Sequence, residues 1–131
     1  MACSESPADN QMASEETVSQ EPEVKLLDVD DFEKAIQKDD ILIVDVRTDG
    51  EVAQGVIPGA VQIDFMNAEE FKKGVDQLDK NKEVFVYCKV GGRSARAADY
   101  LKEKGFKSVY DLKGGYDAWS AAGKQTNKLE K

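Results

Sequence analysis

The chain of 131 residues contains no histidine, only two cysteines and one tryptophan. The lack of histidine excludes a Cys–His or Ser–His catalytic pair and every zinc site that uses imidazole. The two cysteines, Cys3 and Cys88, are too few for a four-thiolate zinc site within one chain. No apolar run approaches the roughly 20 residues that a transmembrane helix needs. We therefore expect neither a metal nor a cofactor, and a nucleophile in this chain has to be activated without an imidazole.

The charge of the chain is unevenly distributed. Residues 1–23 contain six acidic residues, no Lys or Arg, and almost no large aliphatic side chains. Such a composition cannot bury enough apolar surface to offset the entropy of ordering, so it predicts a disordered acidic tail. The remainder is nearly neutral, which argues against the basic surface of a nucleic-acid-binding protein.

The start of the chain, Met1-Ala2-Cys3-Ser4, permits two interpretations. A cysteine followed by a polar, acidic tether resembles the mature end of a bacterial lipoprotein, which favours a periplasmic or envelope protein tethered through Cys3. The alternative is a cytoplasmic protein with an incidental cysteine, because no apolar signal segment precedes Cys3 in this sequence.

From residue 24 onward, short apolar runs alternate with segments of helical periodicity. The predicted strands are 24–27, 41–46, 61–63, 83–87 and 107–111; the predicted helices are one carrying Val29, Phe32 and Ile36, followed by 48–54, 68–78, 94–104 and 116–122. This alternation predicts one α/β domain over 24–122, with a central parallel five-stranded sheet and helices on both faces. Residues 123–131 are predicted to form a frayed C-terminal tail.

Cys88 lies where a buried strand is predicted to turn into a helix. The segment that follows it is Lys89-Val90-Gly91-Gly92-Arg93-Ser94. Paired glycines allow successive backbone N–H groups to turn toward one point, and a helix N-terminus directed at that point favours an anion. Because such surroundings favour a thiolate, the nucleophilic form of cysteine, we interpret Cys88 as a nucleophile. The alternative is a buried structural cysteine, which would not require the glycines or the nearby cation.

Four motifs in this order resemble the rhodanese family of single-domain thiosulfate sulfurtransferases. They are Val44-Asp45-Val46-Arg47, Ile57-Pro58-Gly59-Ala60, the segment from Cys88 to Arg93, and Gly114-Gly115-Tyr116-Asp117-Ala118-Trp119. The resemblance covers about residues 24–122. It implies a rhodanese-like fold and a two-step sulfur transfer through a persulfide on Cys88.

The resemblance also implies the partners of the reaction. A small anionic donor such as thiosulfate would place its outer sulfur on Cys88, and a thiol, cyanide or a protein would then accept it. The backbone N–H groups of residues 89–93, together with Ser94, would surround the sulfur, and the cationic side chains of Lys89 and Arg93 would attract the donor. We expect the protein to act as a monomer.

Two further residues are implied to support the loop without taking part in the chemistry. By resemblance, Asp45 and Arg47 lie near the active loop, and Asp45 is expected to pair with Arg93. The alternative is that both are surface charges at the end of a strand. Trp119 is predicted to belong to the core.

Two rival functions remain open. A phosphatase or arsenate reductase that shares this fold would place five residues between cysteine and arginine, whereas four intervene here, which suits a single sulfur atom better than a tetrahedral oxyanion. The second rival is a non-catalytic rhodanese module that carries sulfur or docks to a partner, although the retained cysteine argues for catalysis.

Overall fold

The computed structural model describes residues 24–129. The predicted acidic tail of residues 1–23, including Cys3 and its predicted lipid tether, lies outside the described residues.

Five strands and five helices alternate along the described chain. The strands are β1 (Val24–Leu27), β2 (Leu42–Asp45), β3 (Val61–Gln62), β4 (Val84–Tyr87) and β5 (Val109–Leu112). The helices are α1 (Val29–Ala35), α2 (Asp49–Val52), α3 (Ala68–Asp76), α4 (Gly92–Glu103) and α5 (Gly115–Ala121).

The strands form one sheet in the order β1-β5-β4-β2-β3, and every neighbouring pair is parallel. All four residues of the central strand β4 are buried. Continuous apolar strands are typical of parallel sheets that are covered on both faces. The predicted fold class is therefore confirmed.

Each face of the sheet supports its own hydrophobic cluster, because successive strand residues point to opposite sides. On one face, Val84 and Val86 pack with side chains of α3 and α4; on the other, Phe85 and Tyr87 pack with Phe32 of α1 and Trp119 of α5. Trp119 is buried as predicted. Among residues 24–129, no helix has the length and apolar character needed to cross a bilayer.

The ends of the helices differ from the predicted bounds by up to two residues, and two of these differences have a local cause. The helix α4 begins at Gly92 rather than at Ser94, because Gly91 adopts a backbone φ of 124° and already serves as the N-cap. The helix α2 is a single turn, which begins with a capping box between Thr48 and Glu51.

The segment after α5 also differs from the prediction of a frayed tail. In its described part, Asn127 forms an antiparallel bridge with Val56, with two backbone hydrogen bonds of 2.8 Å. The indole N–H of Trp119 donates to the carbonyl of Gln125 at 2.8 Å. A buried indole N–H needs an acceptor, and this one is supplied by the segment that follows its own helix.

Candidate active site

Cys88 directly follows β4, at the carboxyl edge of the sheet, where parallel α/β folds bind their ligands. It is a free thiol, and only 1% of the residue is exposed. Two groups of the predicted loop contact the sulfur. The backbone N–H of Gly91 donates to Sγ over 3.0 Å, and the hydroxyl oxygen of Ser94 lies 3.5 Å from Sγ.

The loop places the sulfur at the beginning of α4. Gly91 is the N-cap of this 12-residue helix, and its positive φ turns the N–H back toward the sulfur. The partial positive charge at a helix N-terminus favours an anionic sulfur at this point. Lys89, Val90 and Gly92 are exposed, so they form the outer rim of the loop.

The back of the loop is held by the first turn of α5. The N–H of Tyr116 donates to the carbonyl of Cys88 at 2.7 Å, and the N–H of Asp117 donates to the carbonyl of Lys89 at 3.0 Å. In a trans peptide the N–H points opposite to the C=O, so the next two N–H groups of the loop point away from α5. N–H groups with this orientation are available to donate hydrogen bonds on the side of the loop opposite α5.

Gly115 makes this close approach possible. A Cβ atom at this position would lie 2.5 Å from the carbonyl oxygens of both Cys88 and Lys89, and the φ of 62° is itself unfavourable for side chains. From the sequence, the Gly114-Gly115 pair was named only as part of a family motif and was not connected to the Cys88 loop. The two glycines in front of a buried helix were the available signal, but their partner is set by the packing of α5 on the sheet.

The two cations of the loop are already paired with carboxylates. The Arg93 guanidinium binds Glu51 of α2 through two hydrogen bonds of 2.7 and 2.8 Å. The Lys89 ammonium lies 2.8 Å from Asp117. The bond from Arg93, with the N–H and hydroxyl of Thr48 as further donors, lowers the pKa of Glu51 to about 2. Glu51 was not singled out from the sequence.

The predicted pair between Asp45 and Arg93 is wrong. Asp45 binds Arg47 instead, through side-chain hydrogen bonds of 2.7 to 3.0 Å and the Arg47 backbone N–H at 2.9 Å. Both residues are buried, so the alternative of two surface charges is also wrong. The side chain of Arg47 folds back onto the strand end, where burial requires a full set of partners.

Arg47 nevertheless connects with the loop through an aromatic ring. Its guanidinium carbon lies 4.1 Å from the ring centroid of Tyr116, the residue whose N–H binds the Cys88 carbonyl. The guanidinium also donates to the carbonyl of Gly55 at 2.7 Å. The pair therefore fixes α5 and the end of α2 against the same strand end.

A second buried carboxylate lies in β5. Asp111 is 4% exposed, and its Oδ1 has no hydrogen-bond partner among the described residues. Burial raises the pKa of Asp111 to about 6, and the nearby hydroxyl of Ser94 opposes part of that rise. Sequence reasoning missed this residue, although a charged side chain inside an apolar strand was the available signal.

A family model described as "Rhodanese-like domain" matches residues 28–122. The chain belongs to this family. A protein of Allochromatium vinosum named sulfurtransferase is 39% identical over 85 residues, which cover 65% of this chain and 77% of that protein. A thiosulfate sulfurtransferase GlpE of Coxiella burnetii is 37% identical over 86 residues, which cover 66% of this chain and 78% of that protein.

A solved structure gives the same assignment. The crystal structure of a rhodanese-related protein from Thermoplasma volcanium superposes with a TM-score of 0.68 at 27% identity, covering 80% of this chain and 99% of that one. The rhodanese resemblance inferred from the four motifs is thus confirmed, and the relatives support sulfurtransferase activity in general.

Proposed function

We propose that this protein transfers a sulfane sulfur from a small donor to a thiophilic acceptor through a persulfide on Cys88. The observation that carries the proposal is the position of Sγ, 3.0 Å from the Gly91 N–H at the start of α4. A fixed backbone donor and a helix N-terminus stabilise a negative sulfur without a histidine.

The first step loads the enzyme. The Cys88 thiolate attacks the outer sulfur of the donor, a new S–S bond forms, and the donor's own S–S bond breaks. With thiosulfate, the electron pair of the broken bond leaves on sulfite. The name of the GlpE relative supports thiosulfate as the first donor to test.

The second step unloads the sulfur. A thiol, cyanide or a protein nucleophile attacks the outer sulfur of the persulfide, and the Cys88 thiolate leaves with the electron pair. The same backbone donors then stabilise the returning thiolate, so the loop serves both steps. The persulfide is a reversible modification, as a sulfur carrier requires.

Donor attraction is expected to depend on the backbone more than on the cationic side chains. Arg93 and Lys89 are neutralised by Glu51 and Asp117, so the rim of the loop carries little net positive charge. The proposed donors are therefore thiosulfate and similar small sulfane compounds whose reacting sulfur fits between Gly91 and Ser94.

Intact-mass measurement after incubation with thiosulfate tests the proposal. We expect one added sulfur atom on the native protein and none on Cys88→Ser. Cys3→Ser is the matched control, since it removes the other thiol of the chain and should leave the added sulfur in place. Cyanide should then remove the sulfur and return the original mass.

Two outcomes would replace the proposal by a rival. A native protein that takes up no sulfur from thiosulfate or from an organic persulfide would be a non-catalytic module. Hydrolysis of an aryl phosphate that depends on Cys88 would instead identify a phosphatase.

A further inference from the structure

Asp111 lies in a part of the sheet where an ionised carboxylate is costly. In its parallel register it lies beside Val86 of β4 and Leu26 of β1. It shares a face of β5 with Val109, which belongs to the cluster under α3 and α4. Its Oδ1 is buried without a partner in the described chain. A buried polar atom without a hydrogen bond calls for an explanation, and function is one of the usual ones.

Ser94 connects this carboxylate with the nucleophile. Its hydroxyl oxygen lies 3.5 Å from Cys88 Sγ, and the hydroxyl group lowers the pKa of the Asp111 carboxyl group, as a nearby hydrogen-bond donor does. In the structure the hydroxyl donates to the carbonyl oxygen of Gly91 at 3.2 Å. A serine has a single O–H, so it donates to only one of these groups at a time.

The charges that act on Asp111 are negative. Asp99 of α4 raises its pKa, in addition to the larger effect of burial. The strands β1 and β4 present the apolar Leu26 and Val86 beside it, and Cys88 follows Val86 by two residues in the same hydrophobic cluster. A second negative charge on the sulfur of Cys88 would add to the negative charge near the carboxylate, and Arg93, the cation that interacts with the sulfur, is already bound to Glu51.

We propose that Asp111 is a positioning residue for sulfur transfer, and that it shares one negative charge with Cys88 through the hydroxyl of Ser94. While Asp111 is ionised, it draws the Ser94 O–H toward itself, and the thiol donates to the Ser94 oxygen. Once Asp111 takes up a proton, the Ser94 O–H is released and donates to the thiolate.

The exchange conserves protons and charge. The S–H bond of Cys88 breaks, the Ser94 oxygen receives that proton, and the former Ser94 proton forms a new O–H bond on Asp111. One negative charge moves from the carboxylate to the sulfur, and nothing is oxidised. The inference rests on the proposed function in that Cys88 is taken as the reacting group.

The pH dependence of Cys88 alkylation by iodoacetamide, a neutral probe, tests the proposal. All variants carry Cys3→Ser so that mass spectrometry reports a single thiol. Asp111→Asn removes the competing charge, so we expect its half-maximal alkylation rate at a pH lower by on the order of one unit. Glu103→Gln is the matched control, because it removes an exposed carboxylate at the far end of α4 and should leave the profile within a small fraction of that shift.

Two further measurements make the result decisive. Asp111→Val, a neutral strand former, replaces the Asn variant if that one fails to fold, and the same shift is expected. In a Ser94→Ala background, the shift caused by Asp111→Asn should fall to less than half, because the connecting hydroxyl is gone.

An unchanged profile, or a shift to higher pH, in Asp111→Asn would overturn the proposal, and a full shift without Ser94 would overturn the route through its hydroxyl. Alkylation needs no sulfur donor. A protein that shifts its profile but takes up no sulfur would contradict the proposed function and not the charge sharing.

Discussion

Two buried aspartates flank the central strand β4, and their surroundings differ. Asp45, at the end of β2, is fully buried and accepts four hydrogen bonds from Arg47. Asp111, on β5, is almost as deeply buried, yet one of its oxygens has no partner in the described residues. A buried carboxylate can therefore have two opposite effects on the fold. The charge of Asp45 is matched by a cation, whereas ionisation of Asp111 destabilises the folded state.

The largest loss of stability is expected when the buried carboxylate of Asp45 loses its cation. Arg47→Met keeps much of the side-chain volume but leaves the Asp45 charge buried without its cation. We expect the free energy of unfolding to fall by about 3–5 kcal/mol, measured by denaturant unfolding at neutral pH. Arg96→Met is the matched control, because Arg96 is exposed on α4 and its replacement should change stability by about 0.5 kcal/mol or less.

A second substitution tells loss of charge balance apart from loss of packing. Adding Asp45→Leu to Arg47→Met removes the unpaired charge and should recover most of the lost stability. If the double variant is as unstable as the single one, the contact of Arg47 with Tyr116 matters more than the ion pair.

Replacing the unpaired Asp111 should change the stability in the opposite direction. The pKa of Asp111 is raised from 3.8 to about 6, so the folded protein holds this proton more tightly than the unfolded chain does. Native stability is thus lost as the pH rises from 3.8 through 6. Asp111→Asn should be more stable than the native protein by up to about 3 kcal/mol at pH 8, with the advantage shrinking as the pH falls from 6 toward 3.8. Thermal unfolding at a series of pH values checks this, and an Asn variant that is less stable at pH 8 would contradict it.

The smallest effect is expected at Glu51 of α2, whose carboxylate is paired with Arg93 but partly exposed. The side chains of Glu51 and Arg93 are 26% and 24% exposed, so solvent screens their attraction. Glu51→Gln should cost about 1 kcal/mol or less at neutral pH. The pKa of Glu51 is lowered from 4.5 to about 2, so the contribution is complete above pH 4.5 and is lost as the pH falls toward 2. Chemical denaturation at pH 7 and pH 3 should show a smaller gap between native and variant at the lower pH.

The sequence predicted the succession of strands and helices along the chain and the place of Cys88 between a strand and a helix, because hydrophobic periodicity and the Cys88 segment are local patterns. It did not predict the partner of Arg93. The spacing of Asp45 and Arg47 is local, but the choice between Asp45 and Glu51 depends on how α2 packs beside α4. Asp111 was missed for a similar reason, since its isolation is a property of three strands and a helix together.

The contacts of α5 with the Cys88 loop also predict which distant substitutions affect that loop. The two loop carbonyls depend on the first turn of α5, and α5 depends in turn on the indole of Trp119 and the segment that binds it. Substitutions near the carboxyl terminus would therefore change the conformation of the Cys88 loop. A screen for lost activity would find them scattered through the last fifteen described residues as well as around the thiol.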